Sequence, residues 1–251
     1  MERPVELSIV IPAYNEERRL APTVRAWLAY LDAYPAAAEL VVSDDGSTDR
    51  TADVARDAAA GDPRLRLVTG GPNRGKGGAV REGMLAARGA YRFYVDADLN
   101  IAPSNVTAAV ELLRHQCDMV TGRRSLREYS REESSPARVA AGAAVQALRR
   151  ALWLTHVADS QAGFKGMRAA LAERVFRAAT VTSFAFDIEV LYLARRFGAR
   201  IVEYPVSVEF RGESTYDVRR HLPPFLADIV RIRANAARGA YPGRPDPQEA
   251  E

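Results

Sequence analysis

From Leu7 to Gly122 the chain alternates between two kinds of hydrophobic block. One kind is short and continuous, as in ELSIVIPAYNEE, AELVVSD, RLRLVTG, AYRFYVDAD and CDMVTG, each stopped by Pro, Gly, Asn or Asp. Such runs read as strands buried on both faces, with Pro12 ending the first. The other kind carries apolar residues three and four apart: RRLAPTVRAWLAYLDAY, the stretch after Asp49, GKGGAVREGMLAARG ending at Gly89, and 103–115. These predict helices, with Ser47, Thr48 or Asp49 as the cap of the second. The alternation implies an α/β fold with a mainly parallel central sheet flanked by helices.

After Gly122 the rhythm breaks. RRSLREYSREESSP has no period and predicts a loop, and Pro136 then opens an Ala-rich helix reaching about Leu154. DSQAGFKGMR, a helix around FDIEVLYLARRFG, a strand in ARIVEYPVSVEF and the amphipathic LPPFLADIVRIRANAAR follow. The chain thus divides into a domain over 1–215, an amphipathic helical segment over 216–240 and a Pro-rich, charged tail over 241–251 that is expected to be disordered.

Composition narrows the class. In 251 residues, 47% hydrophobic content suffices for a substantial core. A single cysteine and three scattered histidines exclude a disulfide framework and a zinc spacing, which points to a reducing compartment. There is no apolar run of about 18 residues and no signal-peptide pattern, so a cytoplasmic, non-spanning protein is expected, with peripheral contact at the inner membrane face open. Net charge is only +3, but between Arg123 and Arg150 seven arginines face three acids, and between Arg211 and Arg238 six face three. These are either solvated helix faces or an attraction to a phosphate or an anionic membrane. Nucleic acid ranks last, because no recognition module or interleaved aromatics accompany the charge.

In an open parallel sheet, ligands bind beyond the carboxyl ends of the strands. Four polar clusters fall at such ends: PAYNE, SDDGSTD, GGPNRGKGG and DADLN. Each alone is ordinary turn chemistry, but four at successive strand ends suggest a nucleotide sugar. Tyr14 can stack on a base, and Asp45 can accept from its N–H edge. The run from Asn73 to Gly78, with Lys76 at its centre, suits an anion, although its spacing is not that of a Walker A loop. Asp96 and Asp98 point the same way if the segment is extended, with Ala97 between them turned into the fold, and can share a divalent cation that bridges a diphosphate.

Together IVIPAYNEE, VVSDDGSTDRT, NRGKGGAVREGM, VDADL, DSQAGFKGMR and FAFDIEVLYLARRFG resemble a family 2 glycosyltransferase of the GT-A (nucleotide-diphospho-sugar transferase) fold. The likeness is to the dolichyl-phosphate glucosyltransferase and mannosyltransferase type, and more to the glucosyltransferase branch. It runs from about Leu7 to Thr215. It implies inverting transfer of a hexose from a nucleotide-diphosphate sugar, UDP-glucose ahead of GDP-mannose, with Mg2+ or Mn2+, to a polyprenyl or dolichyl phosphate. Carried over by position, Pro12, Tyr14 and Glu16 line the nucleoside pocket and Asp45 meets the base. Asp96 lies near ribose and metal, with Ala97 in the same lining, and Asp98 is the principal metal ligand. Arg124 faces phosphate, while Gln161 and Asp187 line the acceptor side.

Two positions depart from the family pattern. Asn100 stands where a glutamine is usual, leaving a shorter amide to reach the metal. The lysine usual in a late Gly-x-Ser-Lys segment is Thr215 here, which leaves that loop without a diphosphate clamp unless Arg211 or Lys165 substitutes. A phosphate acceptor is already anionic and needs no strong base, whereas a soluble hydroxyl acceptor would need Asp187 or Asp159. Other readings are a nucleotidyltransferase, disfavoured because the first strand lacks its Gly-rich basic loop, and a silent sugar-nucleotide binding module.

Overall fold

The computed structural model describes residues 4–69, 71–124, 157–206 and 218–243, of which 218–222 only as backbone. The strands are β1 (Leu7–Ala13), β2 (Ala38–Asp44), β3 (Leu65–Val68), β4 (Tyr91–Val95), β5 (Met119–Arg124), β6 (Phe164–Arg168) and β7 (Ile201–Val206). The helices are α1 (Leu20–Asp32), α2 (Thr51–Ala59), α3 (Lys76–Ala86), α4 (Asn105–His115), α5 (Ala169–Ala178), α6 (Phe186–Arg196) and α7 (Val218–Ala237). The Ala-rich helix expected over 137–154, most of the preceding loop, Arg211 and the segment to Thr215 lie outside the described residues.

The strands form one sheet in the order β3-β2-β1-β4-β6-β5-β7. All neighbours run parallel except β6, which is antiparallel to both β4 and β5. Alternation along each strand feeds two apolar layers. Leu7, Ile9, Ile11, Leu40, Val42, Phe93 and Val95 pack under α1, α2 and α4. Val10, Val41, Tyr94, Met119 and Met167 pack under α3, α5, α6 and α7. Burial on both faces makes these strands continuous apolar runs, and each large side chain so buried contributes roughly 1.5–3 kcal/mol.

Several expected boundaries move. Pro12 does not end β1, which continues opposite Ser43 to Ala13, because pairing with β4 has already ceased at Val10. A proline there removes no needed donor on the β4 side. Helix α3 stops at Ala86 rather than Gly89, whose N–H is drawn away to Ser8 Oγ at 2.8 Å. No side chain caps α2, although Asp49 accepts from the N–H of Thr51 at 2.9 Å. Helix α5 was not anticipated. Helix α7 starts at Val218 and carries Pro223 and Pro224 inside it, past its first turn, where each removes a backbone N–H donor.

The C-terminal segment is fastened to the domain. Phe225, Ile229 and Ile232 of α7 are buried in the second layer, so the apolar face that could have met a membrane is spent on the core, while Val230 stays 53% exposed. Tyr241, expected to open a disordered tail, is buried, and its hydroxyl donates to Glu189 at 2.7 Å.

Candidate active site

Strand β4 delivers the carboxylate pair. It ends at Val95, so Asp96 to Asp98 form a turn instead of the extended segment assumed above, and Leu99 follows at φ 55°. The turn is held by Thr23 Oγ1, which donates to the Ala97 carbonyl at 2.5 Å, and Ala97 itself packs against the first core layer. Asn100 donates from its backbone to Asp98 Oδ1 at 3.1 Å and from Nδ2 to Oδ2 at 2.6 Å. Burial, and then the negative charge of Asp96, raise the pKa of Asp98. Asp96 is shifted the other way: burial opposes its ionisation, but Lys76, Lys165 and Arg124 outweigh it and leave it lowered.

Lys76 is the first residue of α3, and its Nζ lies 2.5 Å from Asp96 Oδ1 and 5.8 Å from the centre of the Phe184 ring. Of the 35 basic residues in the sequence only two are lysines, Lys76 and Lys165, and both sit here. Lys165 on β6 is wholly buried. Its ammonium lies 2.7 Å from Asp187 Oδ1, donates to the Ala162 carbonyl at 2.7 Å, and stands 5.6 Å from the Tyr94 ring centre. Tyr94 donates to the same Asp187 oxygen at 2.8 Å. Lys165 is therefore committed inside the fold and does not stand in for the missing late lysine.

The loops after β1 and β2 are laced together. Asn15, at φ 53°, accepts from the Thr48 N–H at 2.9 Å, its own N–H donates to Ser47 Oγ at 2.9 Å, and the Glu16 N–H donates to Thr51 Oγ1 at 2.8 Å. Pro12 is buried at the end of β1 and Tyr14 is 45% exposed just past it. Glu16, expected in the nucleoside pocket, spends both carboxylate oxygens on Arg19 at 2.8 Å, starting α1. Asp45 accepts from the N–H groups of Arg74 and Gly75, both at 2.8 Å, and so shapes the loop before Lys76. Two of its lone-pair sites are spent in this way and two remain for a base edge.

Arg124, expected to face phosphate, is paired with Asp159 through Nε at 2.7 Å and Nη2 at 3.0 Å. Burial would raise the pKa of Asp159, yet this guanidinium holds it low. Gln161 follows, its N–H donating to Asp159 Oδ1 at 3.1 Å. Its Nε2 is buried with no hydrogen-bond partner among the described residues, as are Trp27 Nε1, Ser43 Oγ and Thr121 Oγ1. Asp187, an expected acceptor-side residue, is buried beneath the site in its pairing with Lys165. The sequence did not single out Gly163, whose absent side chain leaves room for Asp96, or Glu189 on α6. A signal for Glu189 exists: FDIEVLYL leaves an acid no polar face to occupy.

No group of three His, Cys, Asp or Glu among the described residues forms a ready metal cage. The donor set nonetheless fits a small hard cation that takes its other ligands from substrate: two carboxylates and an amide, all oxygen donors, with Asp98 penalised by burial and by Asp96 for want of a positive charge. No helix among the described residues is long and apolar enough to cross a membrane.

A mixed α/β sheet with a carboxylate pair, an ammonium and laced polar loops at its strand ends defines a GT-A-type transferase. The chain belongs to glycosyl transferase family 2, whose family model matches residues 8–176. It is 34% identical over 257 residues to human dolichyl-phosphate beta-glucosyltransferase, covering 94% of this chain and 77% of that protein. It is 32% identical over 234 residues to glycosyltransferase AglD of Haloferax volcanii, covering 90% of this chain but 37% of AglD. Among solved structures, glucosyl-3-phosphoglycerate synthase from Mycobacterium tuberculosis, in complex with Mn2+, uridine-diphosphate-glucose and phosphoglyceric acid, superposes with a TM-score of 0.65 at 19% identity, covering 97% of this chain and 82% of that one. Mannosyl-3-phosphoglycerate synthase from Rubrobacter xylanophilus gives 0.68 at 18% identity, covering 94% and 75%.

Proposed function

We propose that the chain is an inverting, metal-dependent hexosyltransferase that moves glucose from UDP-glucose to a polyprenyl or dolichyl phosphate. One observation carries the acceptor: both carboxylates that a hydroxyl acceptor would need as base are already taken. Asp187 is buried, ion-paired with Lys165 and hydrogen-bonded by Tyr94, and Asp159 is clamped by Arg124. A phosphate acceptor has no proton to lose at neutral pH, so orientation and charge neutralisation suffice. The name of the human relative supports the same acceptor and sugar, and the Mn2+ and uridine-diphosphate-glucose bound in the mycobacterial structure support donor and metal.

In this reading Tyr14 stacks on the base and Asp45 fixes its edge with its remaining lone pairs. Asp98, with Asn100 and Asp96 beside it, would hold a divalent ion, which when bound neutralises the leaving diphosphate. Lys76 adds a fixed positive charge on that side, and the Gln161 amide donates to a substrate oxygen. The acceptor phosphate oxygen forms a bond to the anomeric carbon from the face opposite the leaving group. The bond to the diphosphate breaks as UDP departs, and no proton is transferred. The exposed Arg233 and Arg238 would serve peripheral contact with an anionic membrane.

The test is transfer of radiolabel from UDP-glucose or GDP-mannose into a polyprenyl phosphate extract, with Mn2+ and with chelator. Metal-dependent glucose incorporation is expected, with Asp98→Asn more damaging than Asp187→Asn. Near-total loss in Asp187→Asn alone, with metal binding intact, or transfer only to a soluble hydroxyl compound, would overturn the phosphate acceptor.

A further inference from the structure

Glu189 is buried on α6, carries no cationic partner among the described residues, and yet accepts four hydrogen bonds. The N–H groups of Thr180 and Val181 reach Oε2 at 2.9 and 2.7 Å, and the hydroxyls of Thr180 and Tyr241 reach Oε1, both at 2.7 Å. This fixes the start of the turn between α5 and α6. The same turn is gripped from α7, where Asp228 accepts from Ser183 Oγ at 2.5 Å and Asn235 Nδ2 reaches Thr180 Oγ1 at 3.4 Å.

The far side of that turn is pressed against the start of α3. The N–H of Gly77 donates to the Thr182 carbonyl at 2.8 Å. A Cβ on Gly75, which sits at φ +90°, would fall 2.6 Å from the Thr182 carbonyl oxygen, and one on Gly77 would fall 2.7 Å from that of Val181. Lys76 lies between these two glycines, and its ammonium passes the ring of Phe184, from the same turn, on the way to Asp96. The two backbones are in direct contact on either side of the lysine, so displacing the turn displaces the lysine.

We propose that Glu189 is a positioning residue: through the turn 180–184 it sets Lys76 against Asp96, and Tyr241 from beyond α7 completes the setting. The C-terminal segment thereby becomes part of what aims the cation of the transfer site. The proposal concerns the protein without substrate, so it stands or falls separately from the sugar-nucleotide reading.

The chain's two lysines make the test direct. Acetylation by N-hydroxysuccinimide acetate, followed by peptide mass spectrometry, reads Lys76, with the wholly buried Lys165 as internal control. In Glu189→Ala, Lys76 is expected to react about fivefold faster or more, the factor produced by losing a modest part of a local stability, while Lys165 stays unreactive. Glu189→Gln should restore the wild-type rate to within about twofold, because its oxygen can keep the two N–H groups and both hydroxyls can turn to accept from its amide. If Glu189→Ala does not fold, Tyr241→Phe takes its place, with a rise at Lys76 of about twofold expected from one lost hydrogen bond. An unchanged Lys76 in the folded variant, a parallel rise at Lys165, or no recovery in Glu189→Gln overturns the proposal.

Discussion

Gly163→Ala separates the integrity of the fold from that of the site. A Cβ at position 163 would lie 1.8 Å from Asp96 Oδ2 and 2.2 Å from its Cγ, where ordinary contact begins at 3.4 Å. The carboxylate must therefore retreat by roughly 1.5 Å, since dispersion contacts become repulsive inside that distance. The atoms displaced are the end of a short side chain, so the fold absorbs the change at the low end of overpacking, about 1 kcal/mol, or a fall of about 2–4 °C in Tm for a chain of this size. The site does not absorb it, because Asp96 loses its 2.5 Å contact with Lys76 and its register with Asp98. A displacement of this order costs about 100-fold in rate when orientation supplies the catalysis. The assay is the initial rate of glucosyl transfer across an Mn2+ titration, beside a melting curve. Gly243→Ala is the control, since a Cβ there would meet nothing within 4 Å. A Gly163→Ala protein that keeps its rate to within threefold, or that loses rate only in proportion to lost fold, would show that the place of Asp96 does not govern the transfer.

Further outcomes follow from the same geometry. Lys165→Met strands Asp187 in the interior and should cost about 3–5 kcal/mol by chemical denaturation, much of it recovered when Asp187→Asn is added; equal losses in the single and double variants would contradict the pairing. The lowered pKa of Asp159 contributes stability that is present above its unfolded value near 3.9 and lost as pH falls through the folded one. Arg124→Gln should therefore flatten that part of the acid-unfolding profile, and an unchanged profile would count against it. Asp45→Ala releases two backbone donors before α3 and should weaken UDP binding by roughly tenfold, an effect of about 1.4 kcal/mol readable by calorimetry; unaltered affinity would place the base elsewhere.

What the sequence revealed depended on whether a residue's role is local. Strands β1, β2 and β4 were legible because burial on both faces leaves continuous apolar runs such as LSIVI. The reversal of β6 was not, because its direction is set by partners such as Phe93, which lies so close to Gly166 that a Cβ there would fall 2.2 Å from the ring. The pair Asp96 and Asp98 was legible as chemistry but not as geometry, since a turn at Leu99 leaves no trace in residue type. Arg124, Glu16 and Asp187 had the residue types of ligand contacts, yet each is matched by an opposite charge within the chain, Asp159, Arg19 and Lys165. The pairs Arg124–Asp159 and Lys165–Asp187 join residues far apart in sequence and are invisible until the sheet brings them together, as with Lys165 opposite Tyr94 across β4 and β6, whereas Glu16 and Arg19 stand only three residues apart.

The bidentate pair of Arg124 and Asp159 has a consequence for how this enzyme can change. The chain leaves β5 at Arg124, and the pair fastens the end of that strand to the segment that leads into β6 at Phe164. The pair thus ties together two points 35 residues apart in the chain. Loop-closure entropy grows only slowly with length, so the number of residues between two points joined in this way is weakly constrained by the pairing of β5 with β6. That makes position 124 a natural seam for swapping segments between related enzymes, with the catalytic sheet kept intact.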